Sequence, residues 1–361
     1  MANLKFAVMG TGFWANFQIP AWFEVGGVEL VALYNRTRSK AEAMAARCVS
    51  DWRAPNLPRV YDDPDELFRR EQLDFVDIIT EAPAHAPLVH LAASQRVPVI
   101  CQKPMASDFA TACGMVRACS QAGVSLFVHE NFRWQTPIRA LKAVLDSGKI
   151  GKPFRARIQF MFYKPSVFEN QPMLKTLEKL ALADVGSHIF DLARFFFGDP
   201  QSIYCQIDRV RPDIAGEDMA SAMLRCSLPG APGRHVICTC DMSYSSRTEV
   251  EQFPQTLFYI EGTQGTVELG PDFWIRLTTD EGTVARRHPP QRFAWADPDY
   301  AVVHSSIVPC NADLLAGLRS DHPAETTGED NLKTVRLVQS AYESAAENRV
   351  VQLDCDECPA L

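Results

Sequence analysis

The sequence predicts an α/β amino-terminal half built on a parallel sheet, followed by an α+β half with a large, mainly antiparallel sheet. Three observations predict it. Short apolar runs alternate with helix-like stretches over the first 130 residues, and a glycine turn closes the first run. After about residue 150, strand-like segments follow one another with no helix between them.

In the first half, residues 4–9, 28–34, 75–80, 97–101 and 125–129 read as buried strands, with helix-like stretches such as 39–47 and 87–95 between them. Strands alternating with helices imply βαβ units and right-handed crossovers. In the second half, residues 154–162, 220–227, 235–242, 256–261 and 274–279 read as strands separated by glycine- and proline-bearing turns, Pro229 to Gly233 among them. Successive strands without crossover helices favour antiparallel pairing. A helix over about 330–347 closes the chain. The expected division is residues 1–130 and 131–361.

Composition bounds the function. Of 361 residues, 47% are hydrophobic and 22% charged, as in an ordinary globular protein. The excess of 44 acidic over 36 basic side chains, net charge −8, argues against nucleic-acid binding, which needs a concentrated basic face. Eleven scattered cysteines are an odd number and suit reduced thiols better than a disulfide framework. Cys355 and Cys358 form a CxxC without a second ligand pair, so no metal site is expected. No apolar run is expected to reach the roughly 18 residues of a membrane span, and the amino terminus carries no export pattern. The expectation is a cytoplasmic protein with neither membrane nor nucleic-acid partner.

Gly10-Thr11-Gly12-Phe13-Trp14-Ala15 fits G-x-G-x-x-A directly after the first strand. The first glycine permits a tight turn, the second lets the backbone approach a pyrophosphate, and the small third residue lets helix and strand pack closely. The anion would sit at the following helix N-terminus. These features predict a Rossmann dinucleotide-binding domain. About 20 residues after Ala15, where a carboxylate would bind the adenosine ribose of NAD, stands Asn35, followed by Arg36, Thr37 and Lys40. A guanidinium without a carboxylate favours a 2′-phosphate. The run also resembles the N-R-T-x-x-K of NADP-using β-hydroxyacid dehydrogenases. NADP is therefore favoured over NAD.

Cys101-Gln102-Lys103-Pro104 follows the strand at 97–101, at the carboxyl edge where doubly wound folds bind ligands. Later come Asp184-Val185-Gly186-Ser187-His188 and Asp191. With Phe13-Trp14, Pro83 and His85, then Asn131-Phe132-Arg133-Trp134, the Gly262 to Thr266 turn and Gly328-Glu329-Asp330-Asn331, the set resembles the glucose–fructose oxidoreductase/inositol dehydrogenase/MocA family across nearly the whole chain. That family carries E-K-P and D-x-G-x-H. Gln102 replaces the usual glutamate, and the expected consequence is a less well paired Lys103.

The resemblance implies NAD(P)-dependent oxidation of a secondary hydroxyl on a sugar or cyclitol. Lys103, Asp184 and His188 would be the catalytic set: Asp184 and His188, four apart, share a helical face. Imidazole, with an ordinary pKa of roughly 6.5, suits a proton acceptor near neutrality. Asp184 would orient it or a substrate hydroxyl, and Lys103 would hold the reacting oxygen; which of Lys103 and His188 takes the proton stays open. Gly10, Thr11, Gly12, Phe13, Trp14, Asn35, Arg36, Thr37, Lys40, Thr80, Pro83, His85, Gln102 and Lys103 would hold the cofactor. Asn131, Arg133 and Trp134 would bind substrate. The resemblance also implies a homodimer or homotetramer formed through the second-domain sheet.

Two alternatives accompany this reading: a glycoside-modifying enzyme with a tightly held cofactor in a closed redox cycle, and a non-catalytic dinucleotide sensor. The sensor has no need of the proton-transfer set. His129-Glu130 lacks the second histidine of H-E-x-x-H, and the serines at 243–246 lack the setting of a nucleophile elbow.

Overall fold

The structure, a computed structural model, describes residues 2–353 apart from Pro229, Ala231, Pro232 and Val250. Cys355, Cys358 and much of the turn at 229–233 therefore lie outside the described residues.

The alternating first half folds into six parallel strands: β1 (Leu4–Met9), β2 (Val28–Tyr34), β3 (Arg59–Tyr61), β4 (Phe75–Ile78), β5 (Val99–Gln102) and β6 (Leu126–His129). Their order is β3-β2-β1-β4-β5-β6. Successive β1 residues point to opposite faces, so Phe6 and Val8 enter one core, and Ala7 and Met9 the other. Helices α1 (Ala15–Val25) and α2 (Arg38–Ser50) cover the first face. Helices α3 (Pro64–Arg70), α4 (His85–Ser94) and α5 (Phe109–Ala122) cover the second. Strand order reverses between β1 and β4, so the loops leaving β1, β2, β4 and β5 converge on one carboxyl edge.

After α6 (Thr136–Asp146) the chain builds β7 (Pro153–Met161), α7 (Pro165–Asn170), a π-helical turn at Leu182–Gly186 and α8 (Ser187–Phe197). The strands β8 (Pro200–Asp208), β9 (Met219–Ser227), β10 (His235–Ser243), β11 (Leu257–Gly262), β12 (Gly265–Leu269), β13 (Trp274–Thr279) and β14 (Gly282–Arg287) follow. Then come α9 (Ala301–Leu318), α10 (Gly328–Glu347) and β15 (Val351–Gln352). The second sheet runs β14-β13-β12-β11-β7-β10-β9-β8-β15, antiparallel except for the β7–β10 pair. Its inner residues, Ala220, Ala222, Leu224 and Cys226 on β9 for example, pack in one core with α8. The strands not expected from sequence are β3, with three residues, β15, with two, β14, exposed at every residue, and also β8 and β12, of nine and five residues.

The division at residue 130 separates the two sheets but not the helices. Helix α9 returns to the first domain, where Cys310, Leu314 and Leu315 join the core of Phe6, Val8 and Trp22. The Val128 N–H donates to Thr326 O at 2.8 Å, and Leu332 and Val335 of α10 pack on the opposite face. Residues Pro298–Leu318 are also long and apolar enough to cross a bilayer, contrary to the expectation that no such run exists. That apolar content serves the core, since most of the stretch is buried against α1 and β6.

Candidate active site

The loop after β1 is shaped by Gly10. Its φ is +110°, and a Cβ there would meet the carbonyl oxygen of Ile79 at 2.6 Å. Gly12 is the opposite case: a Cβ there would meet nothing within 4 Å, so the protein leaves space over the turn. Helix α1 starts with neither a side-chain cap nor an acidic residue in its first turn, so its N–H groups and dipole favour an anion. Beside the turn, Thr80 Oγ1 is buried without a partner. An open cradle over Gly12, an uncapped helix end and an orphaned hydroxyl fit a dinucleotide pyrophosphate. Gly10, Thr11, Gly12, Phe13 and Trp14 would hold it.

The loop after β2 is fixed by Asn35. Its Nδ2 donates to Thr11 Oγ1 at 2.7 Å, and its Oδ1 accepts from the Thr37 N–H at 2.9 Å. Arg36, Thr37 and Lys40 are exposed beside it, and Arg36 has no ion pair among the described residues. In the next loop Pro83 is exposed at the edge. His85 is buried among the carbonyl oxygens of Thr80, Pro104 and Met105, at 3.0, 3.1 and 3.2 Å. Its ring ties the β4 and β5 loops together and presents no free nitrogen to a cofactor.

Gln102 ends a buried chain of hydrogen bonds. Asp77 on β4 accepts from Trp22 Nε1 at 2.7 Å and from Gln18 Nε2 at 2.8 and 2.9 Å. Gln18 Oε1 accepts from Gln102 Nε2 at 2.8 Å, and Gln102 Oε1 accepts from the Lys103 N–H at 2.7 Å. A peptide N–H only donates, so the Lys103 end fixes the direction of both amides. Burial pushes the Asp77 carboxyl up to about 7, against the opposing bonds from Trp22 and Gln18.

Lys103 is not left short of a partner. Its Nζ reaches Asp184 Oδ1 at 2.9 Å and Asp184 O at 3.1 Å. The other carboxylate oxygen of Asp184 accepts from the Tyr244 hydroxyl at 2.5 Å. Burial would raise the Asp184 carboxyl, but the nearby Lys103 charge and the bonds from Lys103 and Tyr244 outweigh it and hold it low. Asp184 sits in the π-helical turn, a helix irregularity that often marks functional sites. Glu217 secures its start by accepting from the Leu180 and Leu182 N–H groups, both at 3.1 Å.

His188 begins α8 one turn later. Its Nδ1 lies 2.5 Å from Glu130 Oε1, and its ring stacks on Phe132 at 3.7 Å between centroids, 6° from parallel. Burial and the charge of Lys103 hold the imidazole well below its usual range. Burial pushes the Glu130 carboxyl up to about 7. The structure thus brings Lys103, Asp184 and His188 together and adds Tyr244 and Glu130.

The expected substrate residues go elsewhere. Asn131 donates to Val303 O at 3.1 Å and Ser306 Oγ at 2.8 Å. Arg133 is committed to Asp191, Asp330 and Glu325 O. Trp134 lies under the Arg139 guanidinium, 3.5 Å from ring centre to carbon. Asn131 and Arg133 thus tie the start of the second half to α9, α8 and α10, and Trp134 packs against the core of the first sheet. A cavity of about 390 Å³ lined by Arg133, Arg194, Asp199, Asp330 and Lys333 belongs to this ion network, not to the Lys103 cluster.

Known proteins carry the same plan. Residues 4–130 match the model of an oxidoreductase family with an NAD-binding Rossmann fold, and residues 138–268 match the GFO/IDH/MocA C-terminal domain. The chain belongs to the GFO/IDH/MocA family. It is 40% identical over 358 residues to a D-apiose dehydrogenase of Paraburkholderia graminis, covering 99% of this chain and 92% of that protein. It is 39% identical to a D-apiose dehydrogenase of Rhizobium rhizogenes, with 98% of each chain covered. The crystal structure of an oxidoreductase from Agrobacterium radiobacter, in complex with NAD+, L-tartaric acid and magnesium, superposes with a TM-score of 0.91 at 38% identity, covering 97% of this chain and 98% of that one. As a GFO/IDH/MocA protein, this chain is an NAD(P)-dependent dehydrogenase with a Rossmann sheet and a second, mostly antiparallel sheet.

Sequence reasoning on this GFO/IDH/MocA chain missed Glu130, Tyr244, Gln18 and Asp77. Glu130 was legible only as half of a failed zinc motif, and Tyr244 only as a neighbour of serines. The sole signal available for either was its place at the carboxyl end of a strand, β6 for Glu130 and β10 for Tyr244.

Proposed function

We propose that this enzyme oxidises an aldose, with D-apiose the first candidate, by removing a hydride from the carbon bearing the reacting hydroxyl. The nicotinamide supplies the hydride acceptor when the cofactor is bound. The observation that carries the reading is the convergence of Lys103, Asp184 and His188 at the carboxyl edge beside the glycine turn. The close D-apiose dehydrogenase relatives support the substrate class.

Lys103 Nζ, steered by Asp184, holds the substrate oxygen and stabilises the negative charge that develops there. Tyr244 keeps Asp184 turned toward the lysine. His188 takes the hydroxyl proton through Nε2, which has no hydrogen bond among the described residues. The buried, neutral imidazole is in the form that can accept it.

NADP is favoured over NAD, because Asn35 places no carboxylate against a 2′-phosphate and Arg36 stands exposed beside it. The outer face of the second sheet aligns Tyr204 opposite Met223, with Ile237 and Tyr259 on the same face, all exposed. These exposed apolar side chains, interleaved with Thr239, Arg157 and Arg225, support association into a homodimer or homotetramer. Nine buried cysteines among the described residues, none of them in a disulfide, suit a reducing cytoplasm.

The test is reduced-nicotinamide absorbance with NADP+ and NAD+ in parallel across D-apiose, other aldoses and inositols. Turnover confined to inositols would overturn the aldose assignment, and confirmed cofactor binding with no turnover on any sugar would favour the closed redox cycle.

A further inference from the structure

Glu130 lies just after β6 and 58 residues before His188, yet its carboxylate meets the imidazole at 2.5 Å. A buried carboxylate costs several kcal/mol unless it is paired. Glu130 has no exposed surface, and of its oxygens only Oε1 is bonded, to His188 Nδ1 and, at 3.2 Å, to the Phe132 N–H. The Phe132 bond shapes the turn, and Phe132 itself stacks on the His188 ring. One residue therefore fixes both the nitrogen and the plane of the imidazole.

We propose that Glu130 is the positioning residue that keeps the proton of neutral His188 on Nδ1, leaving Nε2 as the acceptor for the substrate hydroxyl proton. The inference rests on the reading of His188 as that acceptor. In the forward reaction the substrate O–H bond breaks and its proton bonds to Nε2. The hydride leaves carbon for the nicotinamide, so the alcohol becomes a carbonyl and the cofactor is reduced. His188 is then an imidazolium, and Glu130 neutralises it where burial and the Lys103 cation would otherwise oppose it. The charged groups facing the pair are Lys103 after β5, Asp184 in the π-helical turn, Asp191 on α8 and Arg133 in the turn after β6. His129 on β6 also faces His188 and is held near 4, uncharged, mainly by burial. Lys103 and Asp184 offset one another, as do Arg133 and Asp191, which leaves Glu130 as the balancing charge.

Glu130→Gln keeps shape and one acceptor oxygen but removes the charge. The expected result is a loss of about 10²–10⁴-fold in kcat, the range for disabling a positioned base or its orienting carboxylate. KM for the sugar and NADPH affinity should stay within about threefold, the scale of a contact worth well under 1 kcal/mol. Without the carboxylate the imidazolium is less favoured, so the acidic limb of kcat/KM should move to lower pH. A variant with wild-type kcat and an unmoved limb overturns the proposal, as does a kcat loss that only tracks lost cofactor binding. Should the variant not fold, nitrogen-15 spectra of histidine-labelled wild-type enzyme decide: Nε2 of His188 unprotonated agrees, and protonated Nε2 with bare Nδ1 refutes. An active His188→Ala enzyme would instead sink the underlying reading of the site.

Discussion

Gln102 takes its orientation from Asp77, two hydrogen bonds away through Gln18. The chain runs donor to acceptor in one direction, from the Lys103 N–H to the Asp77 carboxylate. It accounts for the departure from E-K-P. A glutamate at 102 would point an acceptor at Gln18 Oε1 unless Gln18 turned over and abandoned Asp77. In this chain the acid of the buried network is Asp77, and Asp184 supplies the partner for the lysine.

Gln102→Glu should therefore destabilise the fold by about 1–3 kcal/mol, the cost of an unsatisfied buried polar group. Adding Asp77→Asn should recover most of the loss. In the double variant the carboxylate at position 102 could accept from the Lys103 N–H and from a turned Gln18, whose oxygen accepts from the amide at position 77. Urea midpoints of the two single variants and the double variant give the coupling directly; additive losses would contradict the chain.

The pH dependence of stability follows from the same site. The Asp77 carboxyl is raised from its ordinary 3.8 to about 7 in the folded protein, so the folded state holds its proton more tightly than the unfolded state. That contribution is complete below about pH 4 and is lost as pH rises through about 7. Relative to wild type, Asp77→Asn should therefore gain stability between pH 4 and 7 and level off above. A difference in urea midpoint that stays flat over this window would contradict it.

Tyr244→Phe removes the bond to Asp184 Oδ2 and should cost about 0.5–1.5 kcal/mol of stability. It also removes one of the influences that hold the Asp184 carboxyl low, so protonation of Asp184 should begin at higher pH. The acidic limb of the kcat/KM profile should shift upward, opposite in sign to the shift expected for Glu130→Gln.

Arg36→Asp should weaken NADPH binding by about 10–150-fold, the equivalent of one lost charge-assisted bond of 1.5–3 kcal/mol, and leave NADH binding nearly unchanged. Fluorescence titration with both cofactors checks it. Equal losses would place Arg36 away from the 2′-phosphate.

Both sheets were legible in the sequence because they rest on local pattern, apolar runs and a glycine turn, while the convergence of Lys103 with Asp184, 81 residues apart, was legible only through the family resemblance. The fold's long-range closures were not. Helix α9 buries polar residues such as His304, Ser306, Asn311 and Asp313 among its apolar ones, so no clean apolar period announces that it returns to α1. Glu130 and Tyr244 carry no spacing signal toward His188 and Asp184, because only tertiary folding brings β6, β10 and the π-helical turn together. Asn131 and Arg133 occupy a motif position but spend their donors inside the second half, on α9, α8 and α10.

The central claim is that Lys103 holds the reacting oxygen of a sugar. The most direct measurement is the rate of reduced-nicotinamide formation from D-apiose by wild-type and Lys103→Ala enzymes, with cofactor affinity measured in parallel. A loss of at least about 10²–10³-fold in kcat is expected, the scale for removing one charge-stabilising group, with cofactor affinity nearly intact. Turnover by Lys103→Ala at the wild-type rate would contradict it.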